Sequence, residues 1–196
     1  MDKQAAYNIE MGLQIAEKYS LNVANGYKDR AVRYREKLKN MIIYGKPGKW
    51  ARKKSGKRYK TYCGQYSSFF FLDINCDMTS FLRKKHHNNV NTTMQWTYAQ
   101  KYNALEIDFE EAFYLACVAL PGLILSPYHL EVAGIHYNHA AVIYPIFTEA
   151  YDSEIGPYIA QEGWYHFFGK PISDPRAWGN VWKNKKVKCF LPPHKA

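Results

Sequence analysis

The sequence predicts an α+β domain, with N-terminal helices packed on a small antiparallel sheet. Two observations carry this. Apolar residues recur at helical spacing as far as Pro121-Gly122. Beyond Gly122 the period shortens, and brief apolar runs closed by proline or glycine follow one another. Helices first and strands last is the order of a segregated α+β fold. The chain has 196 residues, 47% hydrophobic and 16% aromatic. That is enough for one sizeable core and too apolar for a disordered chain. The reading is one domain over 1–196, with 1–45 as a helical extension that is either an appendage or part of the core layer.

Each element has a local reason. Residues 3–19 place Ala6, Ile9, Leu13 and Ala16 close to one helical face, and Gly26 in "NVANG" is a plausible stop. Residues 27–43 form a second helix with Val32, Leu38, Met41 and Ile42 inward. Residues 45–60, "GKPGKWARKKSGKRYK", read as a loop with three glycines, a proline and eight basic residues. Residues 63–75 fit a helix whose inner face is Cys63, Ser67, Phe70 or Phe71, and Ile74. Asn91 or Thr92 caps another helix running to about residue 102. In "DFEEAFYLACVALPG", Asp108 is the N-cap, Glu110 and Glu111 suit the first turn, and Pro121-Gly122 ends the helix. "GLILSPY", "NHAAVIYP", "GPYIAQEG" and "KKVKCFLPP" are then four strands.

The charge balance of 27 basic against 17 acidic residues gives +10, which favours anionic partners: nucleic acid, a membrane surface or a wall polymer. No apolar run reaches the roughly 18 residues that would span a bilayer. The N-terminus "MDKQAAYNIEMG" has no apolar signal core, so an export signal is either not used or already removed. The four cysteines (Cys63, Cys76, Cys117 and Cys189) show no C-x-x-C spacing and do not make a disulfide scaffold.

Cys63 differs from the other three. Polar and small neighbours surround it in "YCGQ", and it opens a helix, whose free N–H groups and dipole favour an anion. An ordinary thiol with a pKa of about 8.5 is only a few per cent ionised at neutral pH. Lowering that by about two units takes roughly 2.7 kcal/mol, within reach of a helix terminus, a positive setting and an imidazolium together. The alternative is an inert, packed cysteine. Among seven histidines, His86 and His87 lie in a polar loop, His194 in a tail, His129 before a loop and His166 in an aromatic cluster. His136 and His139 flank "YN" at a strand start. His139 opens "HAAVIYP", so a sheet can fix its direction, and it is the better base. Gln161, on the next strand, has a side chain able to accept from the far ring nitrogen. As zinc ligands, His136 and His139 lack a nearby cysteine or carboxylate pair. "GWYHFFG", residues 163–169, reads as a substrate platform or as core and edge cover. Nothing local says whether Trp178 and Trp182 line a groove.

A cysteine at a helix start, a further helix, "GLIL" as one strand and "NHAAVIY" as the next together resemble the NlpC- and CHAP-type branch of papain-like cysteine peptidases, over about residues 57–165. The chain differs from that pattern in Tyr62 before the cysteine, Gly64 after it, no glycine before the histidine, and glutamine in third place. The resemblance implies Cys63 as nucleophile, His139 as general base and acid, and Gln161 as the orienting residue. It implies hydrolysis of an amide bond in peptidoglycan, either within the stem peptide or at the peptide–sugar junction. The Cys63 N–H would then contribute to an oxyanion site, and no metal or organic cofactor is implied. The expected setting is extracellular, periplasmic or at the cell envelope. The basic loop 46–60 would draw the protein to an anionic wall polymer, and nucleic acid is the less favoured partner. The competing expectation is a non-catalytic basic module that binds an anionic polymer on the same scaffold.

Overall fold

The computed structural model describes residues 2–41, 63–74, 76, 92–101, 104–126, 130–136, 139–162 and 167–194. The basic loop 46–60 lies outside the described residues, as do His86, His87, His129, His166 and Tyr62.

Helix α1 (Lys3–Lys18) starts at Asp2, whose carboxylate accepts from the Gln4 N–H at 2.7 Å and the Ala5 N–H at 3.4 Å. It does not run to Gly26. Ser20, at φ 53°, turns the chain left-handed, so that the Leu21 N–H reaches the Ala16 carbonyl at 2.8 Å and the Ser20 N–H that of Glu17 at 2.9 Å. Gly26, at φ 72°, instead forms the entry to α2 (Tyr27–Asn40). The buried row of α1 is Asn8, Ile9, Gly12, Ile15 and Ala16. The row is rotated from the one expected, and Leu13 is 36% exposed. In α2, Ala31 and Leu38 are buried and Val32 is 41% exposed. Apolar spacing alone left the direction of each stripe uncertain by one position.

Helices α3 (Cys63–Asp73) and α4 (Thr92–Lys101) follow, and α5 (Phe109–Ala116) has Asp108 at its N-cap. The strands are β1 (Leu105–Ile107), β2 (Leu123–Leu125), β3 (Glu131–Val132), β4 (Ile135–His136), β5 (Ala140–Ile143), β6 (Tyr158–Gln161), β7 (Phe167–Pro171) and β8 (Lys188–Leu191). Six of them form one antiparallel sheet in the order β1-β8-β2-β5-β6-β7, and β3 and β4 pair as a separate hairpin. The fold is α+β, with N-terminal helices packed against an antiparallel sheet.

Strict separation of helices from strands fails at β1. It lies between α4 and α5 and pairs with β8 at the far end of the chain. Three residues between two helices are too short for a period of two to show. Part of the aromatic segment 163–169 becomes β7, an edge strand, while residues 163–166 are outside the described set.

Helices cover both faces of the sheet. On one face Ile9, Ile15 and Ala16 of α1 and Phe113 and Leu115 of α5 pack with Ile124, Ala141, Ile143, Ile159 and Cys189. On the other, Leu38 of α2, Tyr66, Phe70 and Phe71 of α3 and Ala99 of α4 pack with Leu123, Leu125, Ala140, Val142 and Ala160. The odd and even residues of each strand divide between the two cores, as pleating requires. The N-terminal helices therefore belong to the core layers, one on each side. Buried Asn8 is satisfied by donating to the Phe147 and Glu149 carbonyls, each at 2.8 Å.

Gly12 sets how closely α1 approaches α5. A Cβ there would stand 2.5 Å from the Tyr114 carbonyl oxygen and 3.0 Å from Val118. At an open helical site, glycine to alanine stabilises by about 1 kcal/mol. Here the sign reverses: Gly12→Ala lowers the unfolding free energy by about 1–3 kcal/mol through overpacking, read from the urea midpoint.

Candidate active site

The position of Cys63 follows from the packing of α3. Tyr66, Phe70 and Phe71 are buried under β5 and β6, which fixes the helix axis against the sheet. Ser67 lies one turn after Cys63, buried on the inner face, and its hydroxyl donates to the Cys63 carbonyl at 3.0 Å. The thiol, half-buried, is thereby delivered to the start of β5.

His139 precedes β5 by one residue and is held from both sides. Its N–H donates to the Ser126 hydroxyl at 3.0 Å, and the Ser126 N–H donates to its carbonyl at 3.0 Å. Its Nε2 lies 2.6 Å from Oε1 of Gln161. A carboxamide oxygen only accepts, so this contact assigns the ring proton to Nε2 and leaves Nδ1 for the Cys63 thiol. The ring and the thiol are close enough that each shifts the ionisation of the other. The structure therefore brings Cys63, His139 and Gln161 together from α3, the β5 entry and β6.

Alternation explains why Gln161 reaches the ring and Glu162 does not. Ile143 pairs with Ile159, so residues 139, 141 and 143 share a sheet face with 159 and 161. Glu162 falls on the other face. There burial, and next the Glu162 charge, push the Tyr66 phenol up.

Burial alone would push the Cys63 thiol up. The His139 charge, hydrogen bonds from His139 and Thr92, and the Ala140 N–H outweigh it and bring the thiol down to about 7. Burial likewise opposes a charged His139, but the sulfur's negative charge and the hydrogen bonds to Cys63 and Gln161 raise its affinity for a proton. Each group thus favours ionisation of the other. The other cysteines behave oppositely. Burial pushes Cys117 up to about 12 and Cys189 further still, and Cys76 is buried with its thiol donating to the Pro193 carbonyl at 2.8 Å.

Sequence reasoning missed the residues behind Gln161. Its Nε2 donates to the Arg176 carbonyl at 3.2 Å, which fixes which end of the carboxamide faces His139. Arg176 is tied by two guanidinium bonds to Asp174, at 2.9 and 2.7 Å, and these bonds hold the Asp174 carboxyl down at about 2. Buried Trp178 lies against the imidazole with ring centroids 4.8 Å apart. "SDPRAW" offered one local signal, the Asp-Pro turn, and nothing in it points to a histidine 35–39 residues earlier.

Other sequence candidates lie elsewhere. His136 belongs to the β3–β4 hairpin. His194 is not a solvated tail residue: its ring nitrogens are buried, its ring lies 6.5 Å from that of Phe71, and burial lowers it to about 4. Among the described residues no cluster of histidine, cysteine and carboxylates has the arrangement of a metal site. Among them, too, no helix is long and apolar enough to cross a membrane. A cavity of about 270 Å³ opens beside Leu105 and Leu191, lined also by Tyr98, Leu120 and His194, and contains none of Cys63, His139 and Gln161. Comparisons with protein-family models, curated proteins and solved structures each find no match for this chain.

The ion pair has a direct chemical readout. Alkylation of Cys63 by iodoacetamide follows a titration near pH 7, and its rate falls as pH drops below that value because the thiolate takes up a proton. At pH 6 Cys63 reacts at least about tenfold faster than Cys117 or Cys189. His139→Ala removes the neighbouring positive charge and moves the midpoint up toward the ordinary thiol value of about 8.5. Peptide-resolved mass spectrometry over pH 5–9 checks all three outcomes.

Proposed function

We propose that this protein is a papain-like cysteine hydrolase that cleaves an amide bond in cell-wall peptide. The observation that carries the reading is the convergence of a helix-start cysteine, a histidine at a strand entry and a glutamine on the adjoining strand, with the thiol brought down to about 7. A structural cysteine has no use for an imidazole at its sulfur or for an amide that fixes the ring tautomer.

In the proposed reaction the Cys63 thiolate attacks the scissile carbonyl carbon. Negative charge moves to the carbonyl oxygen, where first-turn N–H groups of α3, that of Cys63 included, are the donors nearest the sulfur in sequence and lie outside the intrahelical ladder. His139 gives its proton to the leaving amine as the C–N bond breaks, forming a thioester. It then takes a proton from water as hydroxide character develops at the thioester carbon, and the thiolate is restored. Gln161 keeps Nε2 protonated throughout, so that the proton moves through Nδ1. The choice of peptidoglycan rests on the likeness of "YCGQ", "GLIL" and "NHAAVIY" to the NlpC and CHAP pattern, and the +10 charge suits an anionic envelope.

Digestion of purified murein, with mass spectrometry of the fragments, tests the reading. The wild type releases peptide-containing fragments, and the new termini identify the bond. Cys63→Ala releases none, and His139→Ala lowers the rate by about 10²–10⁴-fold. Undiminished cleavage by Cys63→Ala overturns the mechanism. Tight murein binding without cleavage by the wild type replaces it with the binding-module reading.

A further inference from the structure

Helix α4 meets the start of α3 through an unusually polar contact. Thr92 and Gln95 lie one turn apart at its N-terminal end, 4% and 1% exposed. The Thr92 hydroxyl oxygen is 3.4 Å from the Cys63 sulfur. The Gln95 amide donates to the Gly64 carbonyl at 2.6 Å and to the Ser68 hydroxyl at 2.5 Å, while its oxygen lies 3.2 Å from the Ser67 hydroxyl. Ser67 and Ser68 in turn donate to the Cys63 and Gly64 carbonyls, at 3.0 and 2.6 Å. A buried carboxamide costs desolvation that a leucine would not. Each of these Gln95 bonds goes to the turn that carries the cysteine.

We propose that Thr92 is a catalytic residue that donates its hydroxyl to the Cys63 thiolate, and that Gln95 is the positioning residue holding the Cys63–Gly64 turn against it. This rests on the reading of Cys63 as the nucleophile. A thiolate only accepts, so Thr92 is the donor once the sulfur is ionised. Three groups then act on the sulfur from two elements: the His139 ring and the Ala140 N–H at the start of β5, and the Thr92 hydroxyl of α4. The other charges on these elements lie away from it. Asp73 sits at the opposite end of α3, paired with Lys37, and Lys101 ends α4. Glu162, after β6, acts on Tyr66. His139 supplies the positive charge, and Thr92 supplies a neutral donor that is present at every pH.

The test is the pH profile of Cys63 alkylation on the full chain, with thermal melting alongside. Thr92→Val keeps the shape and removes the donor. It slows alkylation about 3–10-fold at pH 6 and leaves the rate at pH 9 unchanged, because the midpoint moves up. Thr92→Ser keeps the donor and stays within about twofold of wild type at both pH values. Gln95→Leu moves the midpoint in the same direction, whereas a merely structural role would lower the melting temperature and leave the midpoint in place. An unshifted midpoint in Thr92→Val overturns the Thr92 assignment, and one in Gln95→Leu overturns that of Gln95. If the Thr92→Val profile shifts while wild type leaves murein intact, the donor role stands and the hydrolase reading falls.

Discussion

The mutual stabilisation of the Cys63 thiolate and the His139 imidazolium is the interaction on which the site depends. It exists only because α3 is pinned to the sheet by Tyr66, Phe70 and Phe71, while Ser126 pins the backbone ahead of β5. Burial penalises the charged form of both, and each offsets the largest part of that penalty on the other. That reciprocity makes the pair sensitive to geometry, because the attraction weakens with separation while the desolvation does not.

Stability and site are served by the same packing. The sheet divides the interior into two cores, and the site lies where the end of β5 is reached from both sides. Cys63 approaches from the α3 side. Trp178 closes over His139 from the core that α1 and α5 help to build. A histidine one residue before the strand proper can meet partners from either layer, whereas a residue in mid-strand is confined to one.

Beyond the pair, the polar groups form two supporting chains. One runs from Asp174 through Arg176 and the Gln161 amide to the imidazole, and it fixes ring orientation and tautomer. The other runs from Gln95 through Gly64, Ser67 and Ser68 and fixes the turn that carries the sulfur. Their members come from different elements, so Cys63 and His139 are located independently and meet because the sheet relates the elements rigidly.

The sequence by itself determined what is written in short-range order. Ser67, Phe70, Phe71 and Ile74 recur at helical spacing, and all four are buried. "HAAVIY" marks a strand with His139 at its entry, and "PYIAQEG" marks the next strand with Gln161 on it, while the pairing of Ile143 with Ile159 is what sets Gln161 rather than Glu162 on the His139 face. Periodicity of this kind needs only neighbours along the chain. Tertiary structure decided the rest. It turned the α1 stripe to Gly12 because Tyr114 lies against it, and it paired Leu105–Ile107 with the final strand. It also brought Thr92, Gln95, Arg176 and Trp178 to a site that their own neighbours do not suggest. The physical reason is that local pattern sets the direction of a side chain relative to its own element. Distances between groups far apart in sequence are set only when the whole sheet closes.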